Sequence, residues 1–199
     1  MIINNKYMPL LIIIVLTFIS GCVPLWVEDY YSPAAIGGTL KQSECAGENY
    51  GPLNMIEFIK NNVKIQLKIF EEEKGIHVSF RLRIPKDNKA RLVNNVIHVS
   101  TPSNPTVMEV LLNPHQFPGL QPYWKIDETL IGDTVEEFAL FGSSYRYNSF
   151  IMTATVEMPK SDTIKIKLPE LFINDQRIQL PEITFKKDRV LEFFVPLNC

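Results

Sequence analysis

The chain has 199 residues, 46% of them hydrophobic and 21% charged, with 14 prolines and 9 glycines. That composition excludes a disordered, collagen-like or disulfide-dense polypeptide, and the length allows one large domain or two small ones. A balance of 20 basic against 22 acidic residues gives a formal charge of -2, too even for a protein that holds nucleic acid through its overall field.

The apolar residues are concentrated at the start. Leu10 to Ile19 reads LLIIIVLTFI, preceded by the cation Lys6 and followed by Ser20, Gly21 and Cys22. A positive start, a short apolar core and small residues at a cut site are the three parts of a secretory signal. A retained anchor helix is the rival reading, because no charged residue occurs from Met8 through Val27. Pro9, Gly21 and Pro24 interrupt that window, and a proline inside a helix costs roughly 3 kcal/mol. The apolar core is also shorter than the ~20 residues that a spanning helix needs.

Ile19-Ser20-Gly21-Cys22 resembles the lipobox of bacterial lipoproteins: an aliphatic residue, a small residue, glycine or alanine, then cysteine. The resemblance covers the leader alone. It implies that residues 1–21 are a signal peptide and that the Cys22 thiol carries a diacylglyceryl group. The new amine would be acylated as well in many Gram-negative bacteria, palmitate being one such chain. The implied partner is a membrane, gripped through the anchor, with no cofactor besides the covalent lipid. Val23, where an aspartate would favour retention in the inner membrane, points by the same resemblance to the outer membrane, the inner one being the alternative.

Removing residues 1–21 takes away one lysine and no acid, so 19 basic and 22 acidic residues leave a mature charge of -3. Cys45 and Cys199 are then the remaining thiols. An oxidising envelope compartment permits a bridge between them. It would close a loop of about 154 residues, for which chain entropy alone gives up to roughly 4–5 kcal/mol. Two separate thiols are the alternative.

Residues 22–54 are expected to form the lipidated N-terminus, a tether and an irregular entry, because Tyr, Pro, Gly and Asn abound there without periodicity. Residues 55–199 are expected to form a single domain. Met55–Lys60 reads as a short helix. Val63, Ile65, Leu67 and Ile69 alternate with polar residues, as do Ile76, Val78, Phe80, Leu82 and Ile84. Period two means one buried and one wet face, and EEEKG between the runs suits a turn, so an antiparallel hairpin is expected. Leu92–Ser100 and Thr106–Leu112 follow as strands, Glu128–Leu140 as a second helix, then Tyr145–Met158 and Thr163–Leu168 as strands. Two further hairpins are expected, Leu171–Ile173 with Ile178–Leu180 and Ile183–Phe185 with Val190–Val195. The fold class is mainly β: an antiparallel, immunoglobulin-like sandwich, with a small barrel as runner-up.

Chemistry-bearing motifs are sparse. His77, His98 and His115 lack metal-ligand spacing, as do the cysteines, and no nucleophile-elbow, S-x-x-K or phosphate-loop pattern occurs. No catalytic residue is derived, and an enzyme is the less favoured reading. Two contact surfaces are candidates. One is the outward pleat of the hairpin, where Lys64, Lys68, Arg81 and Arg83 could meet an acidic partner or anionic head groups; a solvated sheet face is the plainer reading. The other is Asn113–Trp124, where Pro114, Pro118 and Pro122 stiffen a loop bearing Phe117, Tyr123 and Trp124. Those aromatics could instead plug one end of the sandwich. The expected role is an envelope protein that binds or scaffolds another envelope protein. The rivals are an inhibitor or immunity-type lipoprotein capping a partner, an envelope enzyme, and a carrier of lipid.

Overall fold

The computed structural model describes residues 25–42, 52–114, 129–132 and 147–193. Cys22, Cys45, Cys199, Phe117, Tyr123 and Trp124 lie outside these residues.

Among the described residues the regular structure is entirely β, in fifteen strands. They are β1 (Leu25–Ala34), β2 (Thr39–Lys41), β3 (Met55–Lys60), β4 (Val63–Glu72), β5 (Gly75–Pro85), β6 (Lys89–Leu92), β7 (Val96–Ser100) and β8 (Met108–Leu111). The rest are β9 (Asn113–Pro114), β10 (Leu130–Ile131), β11 (Tyr147–Glu157), β12 (Thr163–Lys167), β13 (Leu171–Ile173), β14 (Gln176–Ile178) and β15 (Ile183–Phe193). One layer has the order β2-β3-β4-β5-β11-β9, the other β1-β15-β12-β7-β8, and a smaller sheet runs β10-β6-β13-β14. Every pairing is antiparallel. No sheet closes on itself, so the fold is a sandwich and not the small barrel.

The alternating runs bury one face, as their period requires. Ile65, Leu67 and Ile69 of β4 and Val78, Phe80 and Leu82 of β5 are fully buried, and so are Ile97, Val99, Ile164, Ile166, Ile183 and Phe185 of the opposing layer. Ala90, Leu92, Leu171 and Ile173 of the small sheet join the same continuous core. The β4–β5 hairpin turns at Glu73 and Lys74, with Glu72 opposite Gly75. Gly75 is required by packing: a Cβ there would sit 1.9 Å from the Val156 carbonyl oxygen of β11.

Five expectations are corrected. Met55–Lys60 is strand β3, not a helix, because it pairs fully with β4 through a two-residue turn, Asn61-Asn62. Both turn residues have positive φ, 48° and 67°, the left-handed geometry that asparagine tolerates and that matches strand twist. The expected helix Glu128–Leu140 is overturned where it is described, since Leu130–Ile131 pairs with β6. Ile183 to Phe193 is one strand, not a hairpin across KKDR. Its partner is the segment read as a tether: β1 pairs with β15 over ten residues, from Leu25–Phe193 to Ala34–Thr184. The irregular entry therefore contains a long edge strand, with Pro33 tolerated because the edge needs no second ladder. Finally, Leu92–Ser100 breaks at Val93–Asn95, where the chain passes from the small sheet to the second layer.

The two ends of the sandwich differ. At one end the Asn61 amide donates to Gln176 Oε1 of β14 (3.0 Å), so the small sheet lies beside the β3–β4 turn. At the other end, beside the β4–β5 turn, Glu71 meets Lys187 of β15. These sites are separated by most of β4, about 30 Å at the usual rise.

Candidate contact surfaces

The hairpin cations fall where alternation puts them, on the outer pleat of the larger layer. The register sets Lys64 opposite Arg83, Gln66 opposite Arg81 and Lys68 opposite Ser79. The face is not simply wet. All four cations are partly buried, and none of them is without a partner. Lys68 Nζ stands 4.5 Å above the Phe70 ring. Between the cations, Gln66 is 3% exposed and Glu57 6%. Gln66 Nε2 donates to Glu57 Oε2 at 2.7 Å. Lys41 of β2 approaches the other oxygen of Glu57 at 3.9 Å. Met55 and Ile151, on the same outer pleat, are buried yet stand apart from the core cluster. The arrangement is a half-covered ionic surface with a buried polar pair at its centre, more structural than the exposed cationic row that the sequence suggests.

Of the loop 113–124 the described part is Asn113–Pro114, which pairs with Thr153 and Met152 of β11. The loop thus leaves from the edge of the larger layer.

A shallow recess of about 200 Å³ lies at the small-sheet end, lined by Lys89, Arg91, Thr129, Phe172, Asn174 and Asp175. It is built on turns. Asn174 and Asp175 both have positive φ between β13 and β14. The Asn174 side chain accepts from the Lys89 backbone N–H (2.9 Å) and donates to Asn88 Oδ1 (2.8 Å). Lys89 Nζ pairs with Asp175 at 2.6 Å. The Arg91 guanidinium lies 4.7 Å from the Phe172 ring. Polar groups, one ring and an open mouth suit a surface contact better than an enclosed apolar ligand.

The densest ionic cluster, missed in the sequence, joins the two layers at the opposite end. Arg189 Nε donates to Asp29 Oδ1 at 2.8 Å, and Lys187 Nζ lies 3.7 Å from Asp29 Oδ2. Lys187 also donates to Glu71, whose other oxygen meets Lys160 Nζ at 2.7 Å. The buried Tyr31 hydroxyl donates to the Ser161 carbonyl at 2.8 Å. Hydrogen bonds from Lys160 and Lys187 hold the Glu71 carboxyl below the usual range, and the Arg189 guanidinium does the same for Asp29. Lys187 is pushed up by its bond to Glu71, and burial pushes the Tyr31 hydroxyl up. The signal was present as YYSP facing KKDR, but it is visible only once these segments are paired. Each carboxylate here is already neutralised by cations, so the cluster is a clasp between layers and not a poised acid–base pair.

Among the described residues no three His, Cys, Asp or Glu side chains are arranged to hold a metal ion. No protein-family model matches the chain, and no curated protein or solved structure matches it either.

Proposed function

We propose that this protein is a lipoprotein of the bacterial cell envelope, acylated on Cys22 and held at the outer membrane, whose sandwich body binds another envelope protein. The lipobox Ile19-Ser20-Gly21-Cys22 carries this reading. The fold supports it in one respect: the first strand begins at Leu25, so only Val23 and Pro24 separate the acylated cysteine from the body. Two or three acyl chains, at about 0.8 kcal/mol per buried methylene, make such attachment effectively permanent. Binding is favoured over catalysis because the clustered titratable groups are committed to ion pairs. The small-sheet end offers the recess and its Arg91–Phe172 pair as a docking feature.

Cys22→Ser separates anchorage from fold. In a bacterium that processes lipoproteins, the wild-type chain should sediment with membranes and the variant should move to the soluble envelope fraction with its strand content unchanged. A variant that still sediments with membranes would refute acylation as the anchor.

A further inference from the structure

The small sheet sends one face into the core and turns the other to solvent. Ala90, Leu92, Leu171 and Ile173 are buried. Alternation therefore puts Lys89, Arg91, Phe172 and Asn174 on the outer face, around the recess. The register brings three of the outer side chains into one row across the strands. Phe172 stands opposite Arg91 of β6 on one side and Arg177 of β14 on the other. Ile131, 64% exposed, stands opposite Lys89 at the rim.

The cations Lys89, Arg91 and Arg177 lie here with the carboxylates of Glu170 and Asp175. Lys89 is taken by Asp175 at 2.6 Å. Arg177 is taken by Glu170, through Nε at 2.7 Å and through Nη2. Arg91 remains. Its guanidinium lies 4.7 Å from the centre of the Phe172 ring and, among the described residues, makes no hydrogen bond or ion pair. Both Arg91 and Phe172 are half-buried. An arginine held on an aromatic face keeps its planar set of N–H donors in one orientation, so little freedom is lost when an acceptor arrives.

Charge and size select the occupant. One positive charge is uncompensated, which calls for an anion. The Asp175 carboxylate, 83% exposed at the rim, repels a second negative charge and so disfavours a dianion. A carboxylate carries one charge and meets a guanidinium through two parallel bonds. The recess, about 200 Å³, is smaller than the roughly 300–1,000 Å³ of small-molecule sites, so it fits one side chain of a larger partner. Arginine and aromatic residues also dominate the energetics of protein contacts. We propose that the recess takes an aspartate or glutamate side chain of a partner protein, its carboxylate on Arg91 and its methylene groups against Phe172. This rests on the protein-docking reading above and not on the acylation of Cys22.

The test uses the isotope-labelled full chain in a zwitterionic detergent, at constant ionic strength. It is titrated with acetyl-Gly-Glu-Gly-amide, with the glutamine counterpart and with inorganic phosphate. The Arg91 Nε–H resonance should move and saturate with the glutamate peptide, at an affinity about tenfold above that for the glutamine peptide. Arg91→Lys keeps the charge but loses the paired donors, and should lose most of that preference while its unfolding curve stays that of the wild type. Equal affinity for the two peptides, tighter binding of phosphate, or an unchanged preference in Arg91→Lys overturns the proposal. Mild cross-linking in membranes of the native host separates its failure from that of the docking reading. A partner captured by the wild type through an aspartate or glutamate, and lost with Arg91→Glu, supports the carboxylate site. The same partner captured equally by Arg91→Glu overturns that site and leaves protein docking intact. Capture of no protein overturns both.

Discussion

Glu71 is the residue on which the joint between the layers turns. It sits at the end of β4, in the larger layer, yet its partners are Lys187 of β15 and Lys160 on the connection from β11 to β12. Glu71 and Lys187 are mostly shielded from water, at 21% and 26% exposure, so their bond is less screened than an ordinary surface pair. Glu71→Gln should lower unfolding stability by about 1–2 kcal/mol at neutral pH, because two ammonium groups lose the negative charge they share. The pH dependence has a definite sign. Glu71 and Asp29 have folded-state pKa values below their unfolded ones, so their contribution is present at neutral pH and is lost as pH falls through the folded values in the acid range. Lys187 and Tyr31 are raised, so their contribution is present below their unfolded values and lost at alkaline pH. Urea melts across the acid range should show the wild type losing its advantage over Glu71→Gln as pH drops. Parallel stability curves at all pH values would show that the clasp contributes nothing.

At the level of elements, what could be read from the sequence followed from periodicity, and what was missed followed from partners. β4 and β5 alternate cleanly, and their pairing and inner faces are those expected, whereas β13 turns at Asn174-Asp175 into Gln176–Ile178, two residues before the expected partner Ile178–Leu180. β3 was hidden because MIEFIK is short and its pairing depends on an Asn-Asn turn that carries no glycine. β1 and β15 were hidden by each other: DYYSP and KKDR look like punctuation until Arg189 of one donates to Asp29 of the other and the Tyr30 hydroxyl donates to Asp188. The candidate surfaces divide in the same way. The side of the sheet on which Lys64, Lys68, Arg81 and Arg83 lie was legible, while the buried Gln66–Glu57 pair between them was not, because it needs the register of β3. The Asn61-Asn62 turn gives a prediction at this scale. Asn62→Val forces a β-branched residue into the left-handed region and should cost about 1–2 kcal/mol, whereas Asn62→Gly should be neutral or slightly stabilising. Thermal melts of the two variants check this; equal melting temperatures would mean that the turn does not set the register of β3.

For the whole molecule, the two ends of the sandwich differ in what they carry. The residues that sequence alone assigns to a loose tether include the edge strand of a layer. The clasp and the small sheet, with its recess beside Arg91 and Phe172, lie at opposite ends of the sandwich. Anchored as proposed through Cys22, the body would meet partners confined to the same membrane, where confinement raises effective concentration without any new contact. The premise beneath all of this is the fate of a single thiol, and its most direct test is the mass of the N-terminal peptide of protein recovered from bacterial membranes. The account predicts a peptide that begins at Cys22 and carries a diacylglyceryl group on sulfur. A peptide that reads through Ser20-Gly21-Cys22, or one that begins at Cys22 with a bare thiol, would contradict it.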